Sequence, residues 1–166
     1  MKGSRDAEYT EYVQGRMQWL RRVAYLLCQD WQRADDLVQS AITSLYTQWG
    51  KARDAVSIDA YARTILVRCF ISERRSAWSR RVTLVNEHLD APGGSVDHDA
   101  QLDVQAALAA LPPRQRATLV LRFYCDLPVE ETARELGCSV GTVKSQTSKG
   151  LEALRHALGP IMAEET

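Results

Sequence analysis

Five polar side chains near the C-terminal end of the chain, Thr142, Lys144, Ser145, Ser148 and Lys149, combine short hydroxyl donors with two ammonium groups at spacings of one, three and four. On a helix, residues three and four apart share a face, so this set would project together from the first turns of one helix. Hydroxyls and cations at a helix N-terminal end are suited to base edges and phosphates in a major groove. A solvated helix face would carry the same residue types, so the elements around them decide between the readings.

Those elements form a helix-turn-helix pattern in DLPVEETARELGCSVGTVKSQTSKGLEALRHAL, residues 126 to 158. A first helix from about Pro128 to Leu136 is expected, with proline tolerated in the first turn and Glu130 and Glu131 at the positive end. Ala133 and Leu136 would face inward, and Gly137 would supply the positive φ of the turn. Ser139 is placed to cap a second helix starting near Val140. On that helix Val143, Thr147, Gly150, Leu151, Leu154 and Leu158 fall on one largely apolar face, leaving the five polar residues opposite. The spacing Ala133, Gly137, Val143 ties two helices to a tight turn and favours DNA reading over a merely solvated face.

Upstream, a first helix from about Asp6 to Cys28 carries Tyr9, Tyr12, Val13, Met17, Leu20, Ala24 and Leu27 at threes and fours. A second, from about Gln32 to Trp49, carries Ala34, Leu37, Val38, Ala41, Ile42, Leu45 and Trp49, with Gly50 placed to end it. Its other side presents Asp35, Asp36, Gln39 and Ser40, which either solvate the helix and offset its dipole or meet a basic partner. Ser57 is placed to cap a third helix running from Ile58 to about Trp78, with Ala62, Ile65, Leu66, Cys69 and Phe70 inward. Another face aligns Tyr61, Arg68, Ser72 and Arg75. Cations that follow phosphates beside an aromatic stacking surface suit single-stranded nucleic acid, although a tyrosine at a helix start also serves as core.

Periodicity lapses from Ser79 to about Gln101, where APGGSVDHDA reads as linker. Val82, Leu84, Val85 and Leu89 give that stretch some apolar content, and His98 between Asp97 and Asp99 reads as solvated rather than as a metal ligand. A short helix from Leu102 to Leu111 follows, broken by Pro112 and Pro113, and RQRATLVLRFY reads as the helix leading into the helix-turn-helix. No strand alternation is evident, so the fold class expected is all-α: two small helical domains joined by a flexible linker, the second containing the helix-turn-helix. The boundaries expected are 1–80, a linker at 81–101, and 102–166.

Composition narrows the function classes. Of the 166 residues, 45% are hydrophobic and 25% charged, with 21 basic and 21 acidic side chains, which argues against a generic polyanion binder. The charge is segregated: residues 1–81 carry 14 basic and 9 acidic groups, 82–106 carry 0 and 5, and 107–166 carry 7 and 7. The densest basic stretch is Arg63, Arg68, Arg74, Arg75, Arg80 and Arg81, with Glu73 among them. No membrane span and no signal peptide are read, so a cytoplasmic protein is expected. Cys28, Cys69, Cys125 and Cys138 lack metal-ligand spacing, and neither a metal nor a cofactor is expected. Phosphate-binding, metalloprotease and nucleophile-elbow motifs are missing, so an enzyme is not expected.

Taken together, these segments resemble the extracytoplasmic-function group of the sigma-70 family of RNA polymerase sigma factors. RADDLVQSAITSLYTQW (33–49) is similar to the segment that docks on the clamp helices of the polymerase β′ subunit, and AYARTILVRCFISERRS (60–76) to the reader of the -10 promoter element. LAALPPRQRATLVLRFYCDLPVEETARELGCSVGTVKSQTSKGLEALR (108–155) is similar to the -35 reader and is the most specific match. The resemblance implies that Asp36, Gln39 and Ser40, beside Asp35, hold polymerase and that Arg68 and Ser72 select a flipped -10 base. It also implies that Lys144, Ser145, Ser148 and Lys149 contact the -35 element. Core RNA polymerase, through its β′ clamp helices and β flap, promoter DNA and an anti-sigma factor are the partners implied. The chain departs from the family habit at Arg68 and Ser72, where Asn is frequent, at Gln146, where Arg is frequent, and at Thr147, where an apolar residue is frequent. It ends at GPIMAEET soon after the last helix, and no further C-terminal domain is expected. The alternative is a stand-alone helix-turn-helix regulator that binds an operator without polymerase; a protein-interaction module is the other rival.

Overall fold

The periodic stretches all form helices, and their ends are set by a few local hydrogen bonds. The structure, a computed structural model, describes the backbone of residues 2–83 and 100–159 and the side chains of 3–73 and 103–159. The expected linker residues from Leu84 onward, His98 and its flanking aspartates, and GPIMAEET after Gly159 lie outside the described residues. The chain divides into two compact units, 1–73 and 74–166, with the division falling inside one helix.

In the first unit, α1 spans Lys2–Cys28 and α2 spans Trp31–Thr47. The two pack directly on each other. Val13, Leu20, Val23, Ala24 and Leu27 of α1 are buried, as are Ala34, Leu37, Val38, Ala41 and Leu45 of α2, so both apolar stripes meet as expected. Asp30 caps α2, accepting the N–H of Gln32 at 2.9 Å, a cap not anticipated from the sequence. The second helix ends earlier than expected. Gln48 is its C-cap, and a separate short helix, α3, runs Trp49–Arg53 with Gly50 inside it rather than terminating α2. At the break Gln48 N–H is shared between the carbonyls of Ser44 and Leu45, at 3.2 and 3.1 Å, and Trp49, 2% exposed, packs against the rings of Tyr9 and Tyr12, each with centroids 5.7 Å away.

Helix α4 spans Ile58–Thr83. Ser57 Oγ accepts the N–H of Ala60 at 3.1 Å, the expected cap. The helix runs past Trp78, so residues 79–83, expected to begin the linker, are helical, as are Ala100 and Gln101 at its other end. Ala62, Ile65, Leu66 and Phe70 are buried as expected, while Cys69 is half-buried and Val67 is fully buried.

In the second unit, α5 spans Ala100–Ala110, α6 spans Pro113–Leu119, α7 spans Val129–Leu136 and α8 spans Val140–Leu158. Pro112 caps α6 and Pro113 occupies its first turn, where a missing N–H costs nothing. Arg116 is 5% exposed, and its Nη1 donates to the carbonyl of Leu111 at 2.9 Å and, at 3.4 Å, to those of Leu108 and Ala109, at the open C-terminal end of α5. The stretch after Leu119 is not the continuous α-helix expected. Val120–Tyr124 is a π-helical turn, closed by Cys125 N–H donating to Val120 at 3.0 Å. Val120 and Leu121 are both buried there, and Phe123 and Tyr124 lie at the surface. Among the described residues there is no strand, and no helix is long and apolar enough to cross a membrane.

Candidate nucleic-acid interface

The strongest candidate surface is the exposed side of α8, and the turn before it is fixed from several directions. Gly137 ends α7 at φ 68° and ψ 42°, a left-handed conformation that other residues adopt at a cost. Cys138 N–H donates to Ala133 at 3.0 Å and Gly137 N–H to Arg134 at 3.3 Å, which satisfies carbonyls at the end of α7. Arg114 of α6 donates to the carbonyl of Leu136 at 2.8 Å, tying the same helix end to the preceding helix. Ser139 Oγ then accepts Thr142 N–H at 3.1 Å and starts α8.

Two positions hold α8 on the core. Val143 is fully buried, and Gly150 lies so close to Leu119 that a Cβ at 150 would stand 2.9 Å from its Cδ1. Thr147 is half-buried and donates to the carbonyl of Val143 at 2.7 Å, which accounts for a hydroxyl on the inner face. Gln146 is also half-buried, beside the exposed row. Opposite the core, Thr142, Lys144, Ser145, Ser148 and Lys149 are all exposed, so the structure brings the five expected residues to one open side. Thr142 differs from the others, since its hydroxyl accepts from Ser139 Oγ at 3.0 Å.

The second expected surface, on α4, is assembled less openly. Arg68 and Ser72 are exposed and one helical turn apart. Tyr61 is half-buried and donates its hydroxyl to Gln48 Oε1 at 2.9 Å, so the ring is tethered to the C-cap of α2. The backbone of Arg75 lies on α4, and its side chain is outside the described residues. Arg63, counted in the basic stretch, is corrected: it is 8% exposed, on the helix face it shares with the buried Val67 and Phe70. Glu73 receives Arg33 of α2 at 2.9 Å.

The start of α4 is held by polar groups that local sequence patterns do not signal. Tyr12 donates to Asp59 at 2.6 Å, and Arg16 pairs with the same carboxylate. Burial first, and then the bond to Asp59, push the Tyr12 phenol well above its ordinary value. Burial also raises the thiols of Cys28 and Cys69, which favours their neutral form.

On α2, Asp35, Asp36, Gln39 and Ser40 are exposed. They are not equivalent. Asp35 receives Arg21 Nε of α1 at 2.6 Å, whereas Asp36 makes no ion pair among the described residues.

Comparisons with known proteins agree with this layout. The family described as Sigma-70 region 2 matches residues 13–80, and Sigma-70 region 4 matches residues 101–154. The chain is 35% identical over 156 residues to the RNA polymerase sigma-E factor of Streptomyces avermitilis, covering 91% of this chain and 85% of that one. It is 30% identical to the RNA polymerase sigma factor SigV of Bacillus subtilis, covering 82% of each. The sigma factor RpoE of Bartonella quintana, solved in complex with the anti-sigma factor NepR, matches with a TM-score of 0.72 at 25% identity, over 91% of this chain and 96% of that one. With its helix-turn-helix and upstream helical unit falling on the two matched regions, the chain belongs to the sigma-70 family of RNA polymerase sigma factors, in the extracytoplasmic-function group.

Proposed function

We propose that this sigma factor binds core RNA polymerase and positions it at promoters by reading two DNA elements with different chemistry. The observation that carries the reading is the open row on α8, where Lys144, Ser145, Ser148 and Lys149 face away from a core pinned at Val143 and Gly150. A capped helix with free cations and hydroxyls at its N-terminal end fits the major groove of a duplex, here the -35 element, with Thr142 at the edge of the contact.

Arg68 and Ser72 of α4, with Tyr61 and Arg75, take the -10 element once its strands separate. The guanidinium follows the backbone, and the hydroxyl and the ring meet an unstacked base. Binding the open form more tightly than the closed one shifts the promoter toward melting without any chemical step by this chain. Asp36, Gln39 and Ser40, with Asp35 alongside, dock on the β′ clamp helices. The functional boundaries that follow are 1–80 for polymerase and -10 binding, 81–101 for the linker, and 102–166 for the -35 element and the β flap. A net charge of zero means few phosphates are neutralised by the free protein, so polymerase supplies the effective concentration that brings both readers to one promoter. A task on polymerase and promoter DNA puts the protein in the cytoplasm, and an anti-sigma partner is inferred from the complex of the similar RpoE.

Run-off transcription with purified core polymerase on genomic fragments tests the whole reading. Discrete transcripts that require both proteins are expected. Tight operator binding by the chain alone, with no specific transcript on any fragment, would replace it with the stand-alone regulator, a reading that leaves the exposed stripe of α2 without a task.

A further inference from the structure

Neither proposed DNA surface uses the most exposed tryptophan among the described residues. Trp31 opens α2 and is 46% exposed. Its indole stacks on the ring of Tyr25 from α1, with centroids 4.2 Å apart and planes inclined by 18°. The guanidinium of Arg21, also on α1, lies 4.9 Å from the indole centroid and is at the same time bonded to Asp35, Nε to Oδ1 at 2.6 Å and Nη2 to Oδ2 at 3.5 Å. Arg21 and Tyr25 are four apart on α1, and Trp31 and Asp35 are four apart on α2, so each helix contributes one face to a four-residue clasp.

The clasp fixes the indole while leaving nearly half of it open to solvent. Holding a large amphipathic ring in one position before binding removes much of the ordering cost that a contact would otherwise carry. The position is also informative. Trp31, Asp35 and Gln39 recur at intervals of four along α2, with Asp36 and Ser40 beside them, so the indole stands at the N-terminal end of the stripe proposed to dock on polymerase. Asp35 already has its cation in Arg21, and Asp36 has none among the described residues. The two acids therefore differ in role: one holds the clasp and the other is available to a partner.

We infer that Trp31 is a direct contact for a basic helical segment of core RNA polymerase, and that Arg21 is a positioning residue that sets the indole for it. The inference rests on the docking reading above. The partner chemistry is a lysine or arginine whose aliphatic stem covers the indole and whose charged head reaches Asp36.

The test is a titration of labelled full-length chain with core polymerase, run beside thermal melts of each variant. Trp31→Ala is expected to raise Kd roughly tenfold or more, as for a buried aromatic anchor, and Trp31→Phe to keep most of the affinity. Arg21→Ala is expected to weaken binding less, and to add nothing in the double variant with Trp31→Ala, because both act through the same ring. An unchanged Kd for Trp31→Ala overturns the contact, fully additive losses overturn the positioning role, and a loss shared by Trp31→Phe that tracks a lowered melt makes the ring structural only. A folded wild-type chain with no affinity for core sinks the docking reading itself. Weakening by Asp36→Arg with normal binding by Trp31→Ala leaves that reading standing and sinks this one.

Discussion

The two units carry the side chains proposed to act on polymerase and DNA in different ways. On α8 the charged and hydroxyl groups proposed to read DNA stand clear of the fold, and the core holds the helix through other residues, Val143 and Gly150. In the first unit two of the proposed groups are also bonded within the fold, Tyr61 to Gln48 and Asp35 to Arg21, beside others such as Asp36 and Arg68 that stand exposed. A reader of duplex DNA meets a target whose shape is already formed, so a rigid helix with free side chains is sufficient. A surface that must hold polymerase and capture bases exposed by melting gains from groups set in advance by their neighbours.

The largest effect expected comes from the free carboxylate of that first surface. Asp36→Arg places a cation against a basic partner, where like-charge contact costs on the order of several kcal/mol. Affinity for core polymerase in a pull-down titration should collapse while the melt of the variant matches wild type, since Asp36 makes no ion pair among the described residues. Unchanged affinity would remove Asp36 from the docking surface and with it half of the contrast.

Next is the division between the two DNA readers. Lys149→Ala should reduce recruitment to intact promoters by about 1–3 kcal/mol if the ammonium reads a base edge, and the loss should fade on promoters without a -35 element. Arg68→Ala should spare duplex binding and impair opening, measured by permanganate footprinting with and without a pre-melted -10 bubble. If Arg68→Ala acted only through duplex affinity, with normal opening once bound, the guanidinium would be a phosphate contact and the two surfaces would be alike.

A core change sharpens the comparison from inside. Gly150→Ala forces a methyl group against Leu119, which is 4% exposed, and should cost about 1–3 kcal/mol as overpacking. Hydrogen exchange should show lost protection in α6 and α8, and promoters that depend on the -35 element should suffer more than those that do not. Equal protection in variant and wild type would mean that Leu119 swings aside freely.

The smallest effect is one of pH. The Tyr12 phenol is raised above its unfolded value of about 10, so its neutral form contributes stability that is fully present below that pH and is lost as pH rises through the folded-state value. Melts between pH 8 and 11 should show wild type losing its advantage over Tyr12→Phe only in the alkaline part of that range. A constant difference across the range would mean that the phenol does not titrate with unfolding.

Much of this layout is legible in the residues because it depends on local chemistry. Gly137 with its left-handed φ, and Ser57 and Ser139 as caps, act on backbone a few residues away, and the stripes of α1 and α2 follow from helix period alone. The features that escape such a reading depend on distant partners. The break at Gln48 is one, since the hydroxyl bonded to its side chain belongs to Tyr61, thirteen residues on. The π turn is closed by a bond from Cys125 back to Val120, and Arg63 is buried on the face it shares with Phe70. Asp35 and Asp36 look equivalent in sequence because Arg21, which distinguishes them, lies on another helix. The helical continuation to Thr83 is hidden for a different reason, since polar and basic residues without an apolar stripe still form helix well.

Helix α8 behaves as a beam on two supports. Val143 and Gly150 are seven residues apart, about 10 Å along the axis, and Lys144, Ser145, Ser148 and Lys149 all hang within that span. Raising either support would tilt the beam, so that one end of the row advances as the other retreats. If the row reads the -35 element as proposed, promoter preference is tunable from residues outside the row: a change at position 143 would adjust the reach of Lys144 and Ser145, and one at 150 or at its counterpart Leu119 that of Ser148 and Lys149.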